Sequence, residues 1–169
     1  RLRHSKDSPM FQKVHVKLNE RLVVFRDGLP VRALGPGAHI LWGRKRAEKR
    51  FCTDALRFDA WPEVREVLPD SWFAEVTLRT RERGILLKDG VPREFLRPGT
   101  HRYWTLDDSV ELLVLSVDEP MPELTDEMLA VIPSKEYVLA EVDEHQRGLE
   151  FVQGKLTRVL VPGRYAYWV

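Results

Sequence analysis

Glu20-Arg21-Leu22-Val23-Val24-Phe25-Arg26-Asp27-Gly28 returns 62 residues later (20 to 82) as Glu82-Arg83-Gly84-Ile85-Leu86-Leu87-Lys88-Asp89-Gly90. The match runs on without a gap, and Leu34, Pro36, Gly37, His39 and Trp42 fall on Leu96, Pro98, Gly99, His101 and Trp104. A third copy follows 64 residues further (83 to 147), where Arg147, Gly148, Gly154, Leu160, Pro162, Gly163, Tyr167 and Trp168 fall on Arg83, Gly84, Gly90, Leu96, Pro98, Gly99, Tyr103 and Trp104. Six positions are common to all three copies: Arg, Gly, Leu, Pro, Gly and Trp, in that order. Upstream, Phe11, Phe73 and Tyr137 keep the same spacing, and Pro69 and Pro133 precede the second and third copies by equal distances. Self-similarity at such a period marks an array of small structural units.

Each unit reads as β-structure. Val14, Val16 and Leu18 alternate with Lys13, His15 and Lys17, the period of a half-buried strand. Leu22–Phe25 and Leu112–Leu115 are continuous apolar runs, as in strands covered on both faces. Asp27-Gly28 and Asp89-Gly90 supply the positive φ of a tight hairpin turn, and Gln153-Gly154 keeps the glycine. Pro36-Gly37, Pro98-Gly99 and Pro162-Gly163 suit type II turns, with proline setting φ and glycine taking the positive φ after it. The closing Trp42, Trp104 and Trp168 are large enough to plug one end of a small barrel or sheet. Helix is confined to the linkers, at Glu63–Val67 and Glu123–Ala130, among Pro62, Pro69, Pro120, Pro122 and Pro133.

The fold expected is therefore mainly β: tandem small antiparallel sheet or barrel-like modules with one or two short linker helices. Residues 1–9 read as a disordered tail or tag remnant, with Met10 a candidate natural start. Residues 10–71 form the first repeat, 72–135 the second, and 136–169 a third, truncated one. The truncation implies a piece of a longer protein.

Composition narrows the function. Hydrophobic residues are 43% and charged residues 31% of 169, which is a globular mixture. A formal net charge of +1 creates no global field that would select nucleic acid. One cysteine, Cys52, builds no internal disulfide and fits a reducing compartment. No stretch of about 18 apolar residues is present, and the first residues lack the apolar core of a signal peptide.

The segment Glu20–His39 resembles the opening of the stomatin/prohibitin/flotillin (SPFH, band 7) domain of slipin-type proteins, and Glu82–His101 repeats the likeness. The tandem β-units are also similar to the stacked repeats of major vault protein, a pattern that Tyr137–Trp168 fits. The resemblance implies that a strand resumes at Phe58-Asp59 and Val117-Asp118. It also implies large homo-oligomeric rings or shells near membranes, with no catalytic residue. The family's N-terminal hydrophobic hairpin, longer α/β body and coiled-coil tail have no counterpart in these residues.

No residue pattern points to catalysis. His39 and His101 are equivalent, and the third copy has Tyr165 there, which favours a flat polar ring following a Pro-Gly turn over a catalytic or metal-binding role. His4, His15 and His145 have no Cys or His at ligand spacing, so no metal and no cofactor is expected. Cys52 has no inferable base, and Asp107 with Asp108 reads as a solvated loop. The candidate docking residues are Arg44, Lys45, Arg46, Lys49 and Arg50, read as a basic loop with only Glu48 opposing it. Such a loop suits anionic lipid head groups or an acidic neighbour. The acidic Asp118, Glu119, Glu123, Asp126 and Glu127 of the next linker offer a complementary face. Nucleic acid is disfavoured because no aromatics interleave the basic run.

The expected function is a non-catalytic assembly module of a slipin-like or vault-like homo-oligomer, cytoplasmic, with a peripheral place at the inner face of a membrane left open. Repeat-defining structural residues are Gly28, Pro36, Gly37, Trp42 and their counterparts Gly90, Pro98, Gly99, Trp104, Gly154, Pro162, Gly163 and Trp168. The alternatives are a monomeric docking module using residues 44–50, and an enzyme of unrecognised type.

Overall fold

The computed structural model describes residues 3–4, 11–44, 46–121 and 125–169; Lys45, Met10, Glu123 and most of the 1–9 segment lie outside the described residues. The first repeat holds β1 (Arg3–His4), β2 (Phe11–Val16), β3 (Glu20–Arg26), β4 (Leu29–Leu34), β5 (Gly37–Trp42), β6 (Arg46–Cys52), α1 (Pro62–Val67) and a 3-10 turn at Asp70–Trp72. The second holds β7 (Phe73–Leu78), β8 (Glu82–Lys88), β9 (Val91–Leu96), β10 (Gly99–Trp104), β11 (Val110–Ser116), α2 (Asp126–Val131) and a 3-10 turn at Ser134–Glu136. The third holds β12 (Tyr137–Val142), β13 (Gly148–Val152), β14 (Lys155–Leu160) and β15 (Gly163–Trp168).

The plan repeats. The first and fourth strands of each copy pair, as β2-β5, β7-β10 and β12-β15. The second and third form hairpins, β3-β4, β8-β9 and β13-β14. A fifth strand adds to the hairpin as β6 on β3 and β11 on β8, and β1 adds to β6 through Arg3 and His4 opposite Glu48 and Ala47. The strand after the Pro-Gly turn thus begins at Arg46 and Val110, ahead of Phe58 and Val117, where the family resemblance places it.

The hairpins carry out what the Asp-Gly pairs predict. Asp27 and Gly28, Asp89 and Gly90, and Gln153 and Gly154 all take positive φ, the signature of type I′ turns whose twist matches the flanking strands. Arg26 faces Leu29, Lys88 faces Val91 and Val152 faces Lys155 across two-residue loops. Each hairpin has a register shift at the same place, after Val24, Leu86 and Glu150. An extra residue on the partner strand there increases local twist. Gln153 holds φ 50° without the side chain that makes this region easy. Gln153→Asn is expected to stabilise the protein by up to about 1 kcal/mol, read as a raised thermal midpoint; an unchanged or lowered midpoint would contradict it. At the Pro-Gly turns, Gly37, Gly99 and Gly163 take φ of 129°, 133° and 154°, well past the roughly +80° of a type II turn. The positive φ expected of them holds, and the turn is more extended.

By packing, the chain divides into two units. One comprises Arg1–Thr77 with Thr100–Val110, the other Leu78–Gly99 with Glu111–Val169. In the first unit, the β2-β5 pair faces the β3-β4 sheet across a core of Val14, Val16, Leu22, Val24, Leu34 and Leu41. The other face of β3 supports a second core, from Val23, Phe25, Phe51, Val64, Leu68 and Trp104. Leu22–Phe25 is buried throughout, as its unbroken apolar run requires. Among the described residues no sheet closes into a barrel; the barrel-like alternative gives way to separate open sheets.

In the second unit, Gly84 allows close packing: a Cβ there would lie 3.0 Å from Leu78 Cδ1 and 3.1 Å from Leu96 Cβ. Leu112–Leu115 is only half covered, with Val114 exposed, because β11 lies at the edge of the order β11-β8-β9. α1 begins at Pro62, where a missing N–H costs nothing. α2 begins after Thr125, whose hydroxyl accepts from the Met128 N–H at 3.2 Å. No helix among the described residues is long and apolar enough to cross a membrane.

Candidate functional site

Of the residues that recur in all three copies, Arg21, Arg83 and Trp104 meet at one construction, the joint between consecutive repeats. Glu20 accepts from the Lys17 N–H at 3.2 Å and Glu82 from the Arg79 N–H at 2.7 Å, closing the turn that precedes the hairpin. The arginine that follows bridges the same turn. Arg21 donates to the carbonyls of Leu18 and Glu20 at 3.1 and 2.7 Å, and Arg83 to those of Thr80 and Glu82 at 3.1 and 3.0 Å. Each guanidinium then reaches the 3-10 turn that leads into the next repeat. Arg21 lies 5.0 Å over the Trp72 ring, and Arg83 donates to Glu136 at 3.0 Å. Arg97 donates to the other Glu136 oxygen at 2.8 Å. Burial pushes the Glu136 carboxyl up, but the hydrogen bonds and charges of Arg97 and Arg83 outweigh it and hold it below the ordinary carboxylate range.

The joint has matching backbone contacts. Thr105 N–H donates to the Trp72 carbonyl at 2.9 Å, and Val169 N–H to the Glu136 carbonyl at 3.1 Å. Within the first unit, Trp104 fills the joint. It stacks on Phe58 at 4.0 Å and 16°, meets Phe51 edge-on at 6.2 Å, and donates its backbone N–H to Leu56 at 2.9 Å. Its side chain is 1% exposed. Trp42, the same motif residue one repeat earlier, is 64% exposed and touches only the ring of Phe11 among described aromatic neighbours, at 5.7 Å. Trp104 therefore does not plug its own module. It packs onto the sheet of the repeat before, and Trp42 has no described repeat before it.

His39 and Tyr165 perform one task. The His39 Nε2 donates to the Gly35 carbonyl at 2.8 Å, and the Tyr165 hydroxyl to the equivalent Val161 carbonyl at 2.8 Å. In the second copy Arg57 Nη1 donates to His101 Nδ1 at 3.3 Å.

The basic stretch is a strand and not a loop. β6 pairs with β3 from Arg26 opposite Arg46 to Glu20 opposite Cys52. Long basic side chains serve as strand residues there by laying their stems along the protein. Arg46 is buried and donates to the carbonyls of Leu41 and Gly43 and to Gln12 Oε1. The Lys49 ammonium lies 4.3 Å over Trp61 and 4.8 Å over Phe51. Arg50 pairs with Glu20 at 2.9 Å and donates to the His15 carbonyl. Arg44 is exposed, Lys45 lies outside the described residues, and Cys52 is exposed at the strand end. Of the four described, three are committed within their own unit, and Arg44 is exposed. The acidic linker is likewise engaged, with Asp118 paired to Arg81 and Asp126 to Arg164.

A cavity of about 740 Å³ lies in the second unit beside β13–β15. Glu150 stands there where the first two repeats have Val24 and Leu86. It accepts from the Tyr167 hydroxyl at 2.8 Å and from Arg158 at 3.1 Å. Burial, followed by the hydrogen bond to Glu150, pushes the Tyr167 hydroxyl up. These polar groups satisfy one another.

Motif reading identified the shared arginine and tryptophan but not their partners. Trp72 and Glu136 occupy equivalent positions with unrelated side chains, so no similarity marks them. Comparison of the chain with family models, curated proteins and solved structures finds no match.

Proposed function

We propose that this chain is a non-catalytic assembly module of a slipin-like or vault-like homo-oligomeric scaffold, cytoplasmic and peripheral at the inner face of a membrane. The observation that carries the reading is the joint. Arg21, Arg83 and Trp104, three of the residues held in common between copies, meet the neighbouring repeat there, and the shared glycines lie in turns. A repeat array whose units bury their faces only against neighbours is built for extension and assembly.

The test is the mass in solution by light scattering on a column, over a wide concentration range at low and moderate salt. A mass that rises above the monomer with concentration is expected. A monomer at every concentration would overturn self-assembly as the role of these residues.

A further inference from the structure

We propose that the cavity beside β13–β15 binds a small, soluble organic anion, its charged end on Arg164 and Arg158 and its apolar body against Met121, Leu129 and Leu139. The site stands apart from the assembly reading, and its failure would leave that reading untouched.

The cavity follows from residues that set the third repeat apart. In the first repeat Val24 and Leu41 are buried and help fill the space between the hairpin and the β2-β5 pair. The register places Glu150 and Tyr167 at those positions. A carboxylate at a core position costs stability unless it is hydrogen-bonded, and it cannot make an apolar seal. The cavity of about 740 Å³ falls within the roughly 300–1,000 Å³ of small-molecule sites. Its lining is not the part of a repeat that the fifth strand covers. In the first repeat β6 lies on β3, away from β4, and its arginines reach Gln12 and the His15 carbonyl of β2. With β6 and α1 in place, Val31, Arg32, Ala38 and Ile40 remain exposed there. These correspond to Thr157, Arg158, Arg164 and Ala166, which line the cavity. The facing wall comes from the linker before the third repeat, through Met121 and Leu129.

Charge selects an anion. Two guanidinium groups, Arg158 and Arg164, line the cavity against one carboxylate, Glu150. Glu150 is already supplied with donors: the Tyr167 hydroxyl at 2.8 Å, Arg158 at 3.1 Å and the Thr157 hydroxyl at 3.4 Å. It therefore fixes Arg158 and Tyr167 in place and offers no site for a cation. Arg158 is further held over the Tyr165 ring at 5.4 Å. Arg164 donates through Nη2 to Asp126, whose side chain is 87% exposed. An exposed pair of this kind is weak, so an incoming anion takes over Arg164 at little cost. The guanidinium's planar fork of N–H donors matches a carboxylate or a phosphate monoester.

The test is a titration of the whole chain with hexyl phosphate, followed by the backbone amide resonances. Saturable shifts are expected at Thr157, Arg158 and Gly163–Tyr167. Hexyl phosphate should bind about tenfold more tightly than either inorganic phosphate or hexanol, which carry the charge and the apolar body alone. Arg164→Gln should weaken it about tenfold, and Asp126→Asn, which frees Arg164, should tighten it about threefold. Both side chains are exposed, so folding is retained, and an otherwise unchanged amide spectrum checks this. Opposite signs for the two variants separate this site from adsorption on apolar surface. No saturable shift, shifts only at other residues, or an Arg164→Gln chain that binds like wild type would overturn the proposal. Hexanol or inorganic phosphate binding as tightly as hexyl phosphate would overturn it too, by removing one half of the recognition. Sedimentation with vesicles containing phosphatidic acid distinguishes a membrane head group from a soluble ligand. Vesicle binding that is lost in Arg164→Gln, with no titration by hexyl phosphate, would overturn the soluble ligand.

Discussion

Trp104→Ala is expected to destabilise the chain by about 3–5 kcal/mol, while Trp42→Ala changes stability by no more than about 0.5 kcal/mol. The two residues hold the same motif position, so intrinsic propensity is matched between them. Trp104 is enclosed by Val23, Phe25, Phe51, Val64 and Leu68, with Phe58 stacked on its ring. Its removal leaves a cavity that strands pinned by backbone hydrogen bonds cannot collapse to fill. Its indole Nε1 has no hydrogen-bond partner, so the side chain is held there by packing alone. Urea unfolding followed by circular dichroism measures both values, at a concentration where light scattering shows the monomer. Equal losses at the two positions would show that Trp104 does not couple the repeats.

Glu136→Gln is the second large effect, a loss of about 2 kcal/mol at neutral pH. The change keeps the shape and removes the charge that Arg83 and Arg97 both address. Arg83 is itself largely buried and would retain an uncompensated charge. The pH dependence follows from the direction of the shift. The carboxyl titrates below its ordinary value of about 4.3 in the folded chain. Its contribution is therefore complete above that value and is lost as pH falls through the lower folded value. The stability gap between wild type and Glu136→Gln should stay constant from about pH 6 to 8 and close below about pH 4. A gap independent of pH into the acid range would show that packing, not charge, makes the residue matter. The corresponding first-repeat residue, Trp72, meets Arg21 through its ring, so that joint should show no such acid sensitivity.

Much of the architecture could be read in advance. Asp27-Gly28, Asp89-Gly90 and Gln153-Gly154 demanded two-residue hairpins, because few other residue pairs tolerate positive φ there. Val14 and Val16 announced a half-buried strand, and Leu22–Phe25 one buried on both faces. The helix at Pro62–Val67 and the one at Asp126–Val131 fall within the proline-marked linkers. The strand Arg46–Cys52 was missed because Arg46, Lys49 and Arg50 look like solvated charge. Their partners, from Gln12 to Trp61, are remote in the chain.

Residue order alone determined the repeat, its turns and the shared arginine and tryptophan, because backbone sterics and hydrophobic period are local properties. Burial was decided only in three dimensions. Trp42 and Trp104 are interchangeable as letters, as are Leu149 with Val23 and Phe151 with Phe25 in the register. Which of each pair is hidden depends on whether a neighbouring sheet or strand is there to cover it. Burial is a relation between surfaces, and a single segment of sequence encodes only one of them.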